Sequence, residues 1–79
     1  MNMDNQTLEK RIIDYVAKTY RADGATLSRD TKIREELSDQ SMLMVALVSL
    51  IENELDVMIP LHGAAKIETI GDLIDHVAK

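Results

Sequence analysis

The chain reads as an all-α protein: a small four-helix bundle of three main helices and one short helix, with a long first loop. Three observations predict this. Apolar residues recur at steps of three and four in separate segments, the spacing that lines one face of a helix. The 79 residues include no cysteine, so neither a disulfide nor a thiolate-bound metal staples the fold. The composition is 46% hydrophobic but only 3% aromatic, without Phe or Trp, so the core must be assembled from Leu, Ile, Val, Ala and Met. A chain this short without staples favours local helical contacts, and residues 1–79 are expected to form one domain.

The first helix is expected over Thr7 to Tyr20. Leu8, Ile12, Val16 and Tyr20 form its stripe, flanked by Ile13 and Ala17, while Glu9, Lys10, Arg11, Asp14 and Lys18 take the other face. Asn5 or Thr7 supplies its cap. Asp23-Gly24 then signals a stop and turn, and Ser28, Asp30 and Thr31 are turn formers. Arg21 to Leu37 therefore reads as a long ordered loop, pinned by Leu27, Ile33 and Leu37, with one helical turn near Lys32–Glu36. A loop of that length in so small a protein is usually functional.

Ser41 to Leu55 opens on a continuous apolar run that a buried strand would also permit. Leu43, Leu47, Leu50 and Ile51 repeat at helical spacing, and Glu52-Asn53-Glu54 continues the helix, so the helix is preferred. Asp56 to Ile59 is expected to be an extended exit ahead of Pro60. A short helix follows around Ala64-Ala65. Thr69-Ile70-Gly71-Asp72 has capping-box spacing, with Asp in place of Glu, and Ile70, Leu73, Ile74 and Val77 give the last helix its buried face.

Charge and composition exclude several functions. A net charge of −5 without a Lys/Arg stripe argues against nucleic acid and favours basic protein partners. The polar, acidic Met1-Asn2-Met3-Asp4-Asn5 is not a signal-peptide pattern, and the longest apolar run, Met42 to Val48, is too short to cross a bilayer. A soluble, cytoplasmic monomer is the expectation. His62 and His76 stand apart in sequence, and Asp30 with Glu35 and Glu36 does not fit a calcium loop, so no metal site is expected.

Ser41 is the residue that points to chemistry. It stands where Ser38-Asp39-Gln40 meets the apolar segment, at the start of a helix whose first-turn amides and positive dipole end favour an anion. Taken alone it is an N-cap serine or the carrier of a phosphodiester. The missing Gly-x-Ser-x-Gly and the small size of the chain argue against a hydrolase nucleophile. Met42 and Met44 lie two apart and cannot share a helix face; Met42 is expected beside the serine and Met44 outward.

Lys32-Ile33-Arg34-Glu35-Glu36-Leu37-Ser38-Asp39-Gln40-Ser41-Met42 resembles the loop and attachment segment of the acyl carrier protein family, which typically ends Asp-Leu-Gly-x-Asp-Ser-Leu. Leu47 through Glu52-Asn53-Glu54-Leu55-Asp56-Val57-Met58-Ile59-Pro60 is similar to that family's acidic helix end and Ile-Pro exit, and Ile67-Glu68-Thr69-Ile70 resembles its entry to the last helix. The likeness runs without a gap from Ile33 to Val77, and the first helix fits in length and phase. It implies a non-enzymatic carrier whose Ser41 holds 4′-phosphopantetheine, donated by coenzyme A through a separate phosphopantetheinyl transferase. Acyl groups would ride the arm's thiol as thioesters between synthase or acyl-transferring enzymes of a specialised fatty-acid, lipid or polyketide pathway. The partner-docking residues implied are Asp39, Gln40, Met42, Met44, Glu52 and Asp56, with Glu35, Glu36 and Glu54 as further acidic contacts.

The departures define the alternatives. Gln40 stands where the family has the Asp that helps dock the transferase, Met42 where it has Leu, and Ser38 where it has Gly. Gln40 keeps open a carrier-like interaction module that is never modified. An aminoacyl or peptidyl carrier shares the chemistry with a different cargo. The uncharged start of the second helix implies dedicated partners.

Overall fold

The computed structural model describes residues 5–78, Asn5 by its backbone alone. Four α-helices follow in order: α1 (Asn5–Tyr20), α2 (Ser41–Leu55), α3 (Leu61–Ala65) and α4 (Ile70–Ala78). Their apolar stripes converge on one aliphatic core, in which Ile12, Val16, Ile33, Leu47, Ile51, Ile70 and Leu73 are fully enclosed. Helix α1 packs against both α2 and α4, so its stripe of Leu8, Ile12, Tyr15 and Val16 closes the bundle. Among the described residues, no helix is long and apolar enough to cross a membrane.

The expected stripe of α1 is present, with Tyr15 added to it. Tyr15 is held by Arg11 one turn earlier, whose guanidinium lies 5.7 Å from the ring centroid. Thr7 lies within α1, two residues after its first described residue, and the Asn5 side chain lies outside the described part. The helix stops before the Asp23-Gly24 signal. Arg21 adopts the left-handed conformation (φ 55°), and the Ala22 N–H donates to Ala17 C=O at 2.9 Å. That six-to-one bond is the Schellman pattern, formed here without glycine. At the helix end the Tyr20 hydroxyl is buried without a hydrogen-bond partner among the described residues. Burial raises its pKa, opposed in part by the charge of Arg34.

The long first loop is ordered by local caps and by its attachment to α4. Asp23 Oδ1 accepts the Ala25 N–H and starts a short 3₁₀ turn over Gly24–Thr26. Leu27 and Ile33 reach the core as expected, and Leu37 packs against it. The helical turn lies at Ile33–Leu37 and is of the wide π type, closed by Ser38 N–H to Ile33 C=O at 3.1 Å. Backbone bonds fix the loop to the start of α4: Ile33 N–H to Glu68 C=O, Ile70 N–H to Thr31 C=O, and Gly71 N–H to Arg29 C=O. Gly71 is needed for that approach, since a Cβ there would lie 3.0 Å from the Arg29 carbonyl oxygen.

Helix α2 begins and ends where the sequence suggested, but Asp56 is not extended. It takes the left-handed conformation (φ 54°, ψ 48°) and turns the chain at the helix end, a conformation Asp tolerates better than most residues. Residues 57–60 then connect α2 to α3 without regular secondary structure. The start of α4 carries the anticipated capping box. Thr69 Oγ1 accepts the Asp72 N–H at 3.0 Å, and Asp72 Oδ2 accepts the N–H groups of Thr69 and Glu68, each at 3.1 Å.

Those two backbone donors, Thr69 first, hold the Asp72 carboxyl below its usual pKa. A depressed folded-state pKa contributes stability above the unfolded value and loses it as pH falls through the folded one. Thr69→Ala is expected to cost about 1 kcal/mol in urea unfolding at neutral pH. Asp72→Asn is expected to be less stable than wild type at neutral pH, with the gap closing as the solution is acidified below the ordinary carboxylate range. A gap that persists unchanged in acid would contradict the assignment.

Candidate functional site

Gln40 is the N-cap residue of α2, in extended conformation, and its side chain makes no capping bond. Its N–H donates to Ser38 Oγ at 3.2 Å, and its C=O accepts the Leu43 N–H at 3.1 Å. Ser41 is therefore the first helical residue and not the cap, and it is exposed. The cap-serine alternative loses its basis, because the bond that would define it is absent. The first-turn amides lie at the positive end of the helix dipole, the Leu43 N–H already engaged by Gln40.

Ser41 stands on the rim of a cleft of about 400 Å³ between α2 and α3. From α2 the walls are Met44, Val45, Val48, Ser49 and Glu52; from the exit segment and α3 they are Ile59, Leu61, Ala64 and Ala65. Arg34 and Asp39 complete the lining. The helical repeat explains the α2 side. At 3.6 residues per turn, Ser41, Val45, Val48 and Glu52 fall on one stripe, next to the buried stripe of Met44, Leu47 and Ile51.

Two polar clips hold the far wall in place. Arg34 donates to the carbonyl of Ile67 (2.5 Å), just past α3, and more weakly to that of Ala64 (3.5 Å), which also accepts the Ile67 N–H. Glu52 Oε2 accepts the Ile59 N–H at 2.9 Å, tying the exit segment to α2. On the outer side, His76 of α4 packs against Gly63, where a Cβ would come within 3.1 Å of the imidazole ring.

The docking residues implied by the resemblance do not form one patch. Asp39, Gln40 and Met42 are exposed around Ser41, Met42 at 77%. Met44 is only 7% exposed, so the expectation that it points outward is wrong. It lies three residues before Leu47 and seven before Ile51, which puts it on their stripe and leaves the outward position to Met42. Glu52 belongs to the cleft, with its carboxylate engaged by Ile59. Asp56 is exposed at the other end of α2, about 22 Å of helix from Ser41. Arg34, Ser49, Ile59 and Leu61 are site residues that the sequence reading passed over. Leu61, an apolar residue right after Pro60, was the one visible signal.

No family model matches the chain. Individual relatives do, across nearly its whole length. It is 30% identical over 77 residues to the acyl carrier protein of Syntrophobacter fumaroxidans, covering 98% of this chain and 95% of that protein. It is 31% identical over 72 residues to that of Porphyromonas gingivalis, covering 91% and 92%, and 33% identical over 70 residues to that of Rickettsia typhi, covering 89% and 81%. The chain belongs to the acyl carrier protein family, and it is not an enzyme.

Arg34→Ala removes a charged donor from the carbonyls of Ile67 and Ala64, a contribution of about 1.5 kcal/mol. Hydrogen exchange read by mass spectrometry on the full chain is expected to accelerate on the order of ten-fold over residues 61–66. Exchange in the buried parts of α1 and α4 should not change. Acceleration spread evenly over all helices would instead make Arg34 a global stabiliser.

Proposed function

We propose that residues 1–79 act as one carrier domain that holds acyl groups as thioesters on 4′-phosphopantetheine attached to Ser41, serving a specialised fatty-acid, lipid or polyketide pathway. The observation that carries this is an exposed serine, free of capping duty, at the rim of an apolar cleft in a chain of the acyl carrier protein family. When bound, the arm supplies a terminal thiol on which acyl groups are carried. Coenzyme A is the donor: a separate phosphopantetheinyl transferase would form the bond from Ser41 Oγ to phosphorus as the coenzyme's pyrophosphate linkage breaks, with adenosine 3′,5′-bisphosphate and the hydroxyl proton leaving.

The residues around Ser41 suit that attachment. The helix start favours the charge of a phosphodiester by about 0.3–1 kcal/mol at an exposed site. Gln40 adds no negative charge beside the phosphate, and Asp39 is exposed and solvated. Met44, Val45, Val48, Ile59 and Ala64 offer an alkyl chain an apolar wall. That apolar wall suits an acyl cargo. The core behind it contains Met44 and no Phe or Trp, so it can adapt its shape as cargo enters.

The test is incubation with coenzyme A and a broad-specificity phosphopantetheinyl transferase, followed by intact mass and fragmentation. The wild-type chain is expected to gain one phosphopantetheinyl group located on Ser41, and Ser41→Ala none. A gain that survives Ser41→Ala would place the attachment elsewhere. No gain, beside a fully modified control carrier, would favour the unmodified interaction module that Gln40 leaves open.

A further inference from the structure

Arg34 is the one cationic side chain in the lining of the cleft, which also holds two carboxylates, Asp39 and Glu52. A plain alkyl chain gives it nothing. A half-buried guanidinium beside apolar carbon loses hydration and gains no partner in return. The ion pairs formed among the described residues involve Arg29 and Lys32, and Arg34 is in none of them. Its hydrogen bonds go to the backbone carbonyls of Ile67 and Ala64 and leave donors over, since a guanidinium has more N–H groups than those bonds engage. The bond to Ala64 is itself long, at 3.5 Å, and that carbonyl keeps the Ile67 N–H at 3.2 Å if Arg34 lets go.

One cleft therefore joins Ser41, an apolar wall and unused cationic donors. A cargo that uses all of them has oxygen acceptors and hydrocarbon together. Charge decides the kind of oxygen. With Asp39 and Glu52 set against Arg34 the lining is already negative, so a cargo carboxylate meets repulsion and a neutral carbonyl does not. Geometry decides the spacing. The guanidinium presents its N–H donors as a rigid fork. The carbonyl oxygens of a β-oxoacyl thioester can turn to the same side and meet that fork together, whereas an unsubstituted acyl thioester offers a single oxygen. We propose that the cleft holds β-oxoacyl thioesters in preference to unsubstituted acyl chains, through hydrogen bonds from the Arg34 guanidinium to both carbonyl oxygens. This rests on the carrier reading and names the class of acyl group that it carries.

The full chain is loaded by a broad-specificity phosphopantetheinyl transferase from β-oxooctanoyl-coenzyme A or octanoyl-coenzyme A, which puts the same arm on Ser41 with either cargo. Sheltering is read from exchange with excess β-mercaptoethanol, followed by intact mass. The external thiolate attacks the thioester carbonyl, the C–S bond to the arm breaks, and the arm leaves as a thiolate that takes up the proton. Each rate is divided by that of the same acyl group on free pantetheine, which removes intrinsic reactivity. On this scale the β-oxooctanoyl group is expected to exchange about ten-fold more slowly than octanoyl, the gain that a hydrogen bond from a charged donor supplies. Arg34→Met is expected to abolish the ratio, and Arg34→Gln, which keeps an uncharged N–H donor, to retain part of it. Any loosening of α3 in these variants speeds both exchanges alike and cancels in the ratio. In proton–nitrogen spectra of wild type, the Arg34 Nε–H resonance is expected to move more on loading β-oxooctanoyl than on loading octanoyl.

Octanoyl sheltered as well as β-oxooctanoyl in wild type, a comparison that needs no variant, overturns the cargo assignment while leaving the carrier reading intact. A ratio that survives Arg34→Met overturns it too, because Arg34 would then be a clip on α3 and nothing more. A wild-type chain that takes no arm from coenzyme A while a control carrier does overturns the carrier reading, and this inference with it.

Discussion

The rotational setting of α2 is the constraint on which the site depends. Burying Met44, Leu47 and Ile51 against α1 fixes the phase of the helix. With that phase fixed, the other residues have no freedom in where they point. Ser41, Val45, Val48 and Glu52 fall along the edge facing α3, and Met42 and Ala46 face solvent. A slip of one residue, about 100° of rotation, would bury Ser41's neighbours differently and turn the serine away from the cleft. The position of Ser41 is thus set by aliphatic packing a turn or two away from it. That packing is worth several kcal/mol: truncating a buried Leu or Ile to Ala typically costs about 2–5 kcal/mol.

The opposite wall of the cleft is built on another principle. Helix α3 has five residues, too few to persist through its own hydrogen bonds. Ala64 and Ile67 anchor it to the core from below. Arg34 and Glu52 hold its two ends through backbone groups that would otherwise lack partners. One wall is therefore fixed by buried area, and the other by a few polar bonds near the surface. A wall held by a few polar bonds opens locally at lower cost than one held by buried area.

Much of this was legible in the sequence, and the failures are informative. The stripes of α1 and α4 were readable because charged residues on their other faces leave one phase possible. The capping box at Thr69 and Asp72 was readable because its spacing is its mechanism. In α2, apolar residues occupy nearly every position from Met42 to Val48, so periodicity alone could not choose between neighbouring phases. Met44 was consequently assigned outward when it is core. The left-handed residues Arg21 and Asp56 were missed for a related reason: neither is glycine, and only the surrounding bonds force the conformation. The clips of Arg34 and Glu52 join residues to distant backbone, for which a linear pattern carries no signal. Ser41 itself was identified from its place before the apolar run, and its release from capping became evident only once Gln40 was seen to occupy the cap.

The central claim is that this chain lives as a carrier loaded at Ser41. The measurement that addresses it most directly is top-down mass spectrometry of the protein isolated from the cells that produce it. The account predicts a population bearing a phosphopantetheinyl group on Ser41, part of it extended by acyl groups in thioester linkage. A protein recovered wholly unmodified, from cells whose other carriers are loaded, would contradict it.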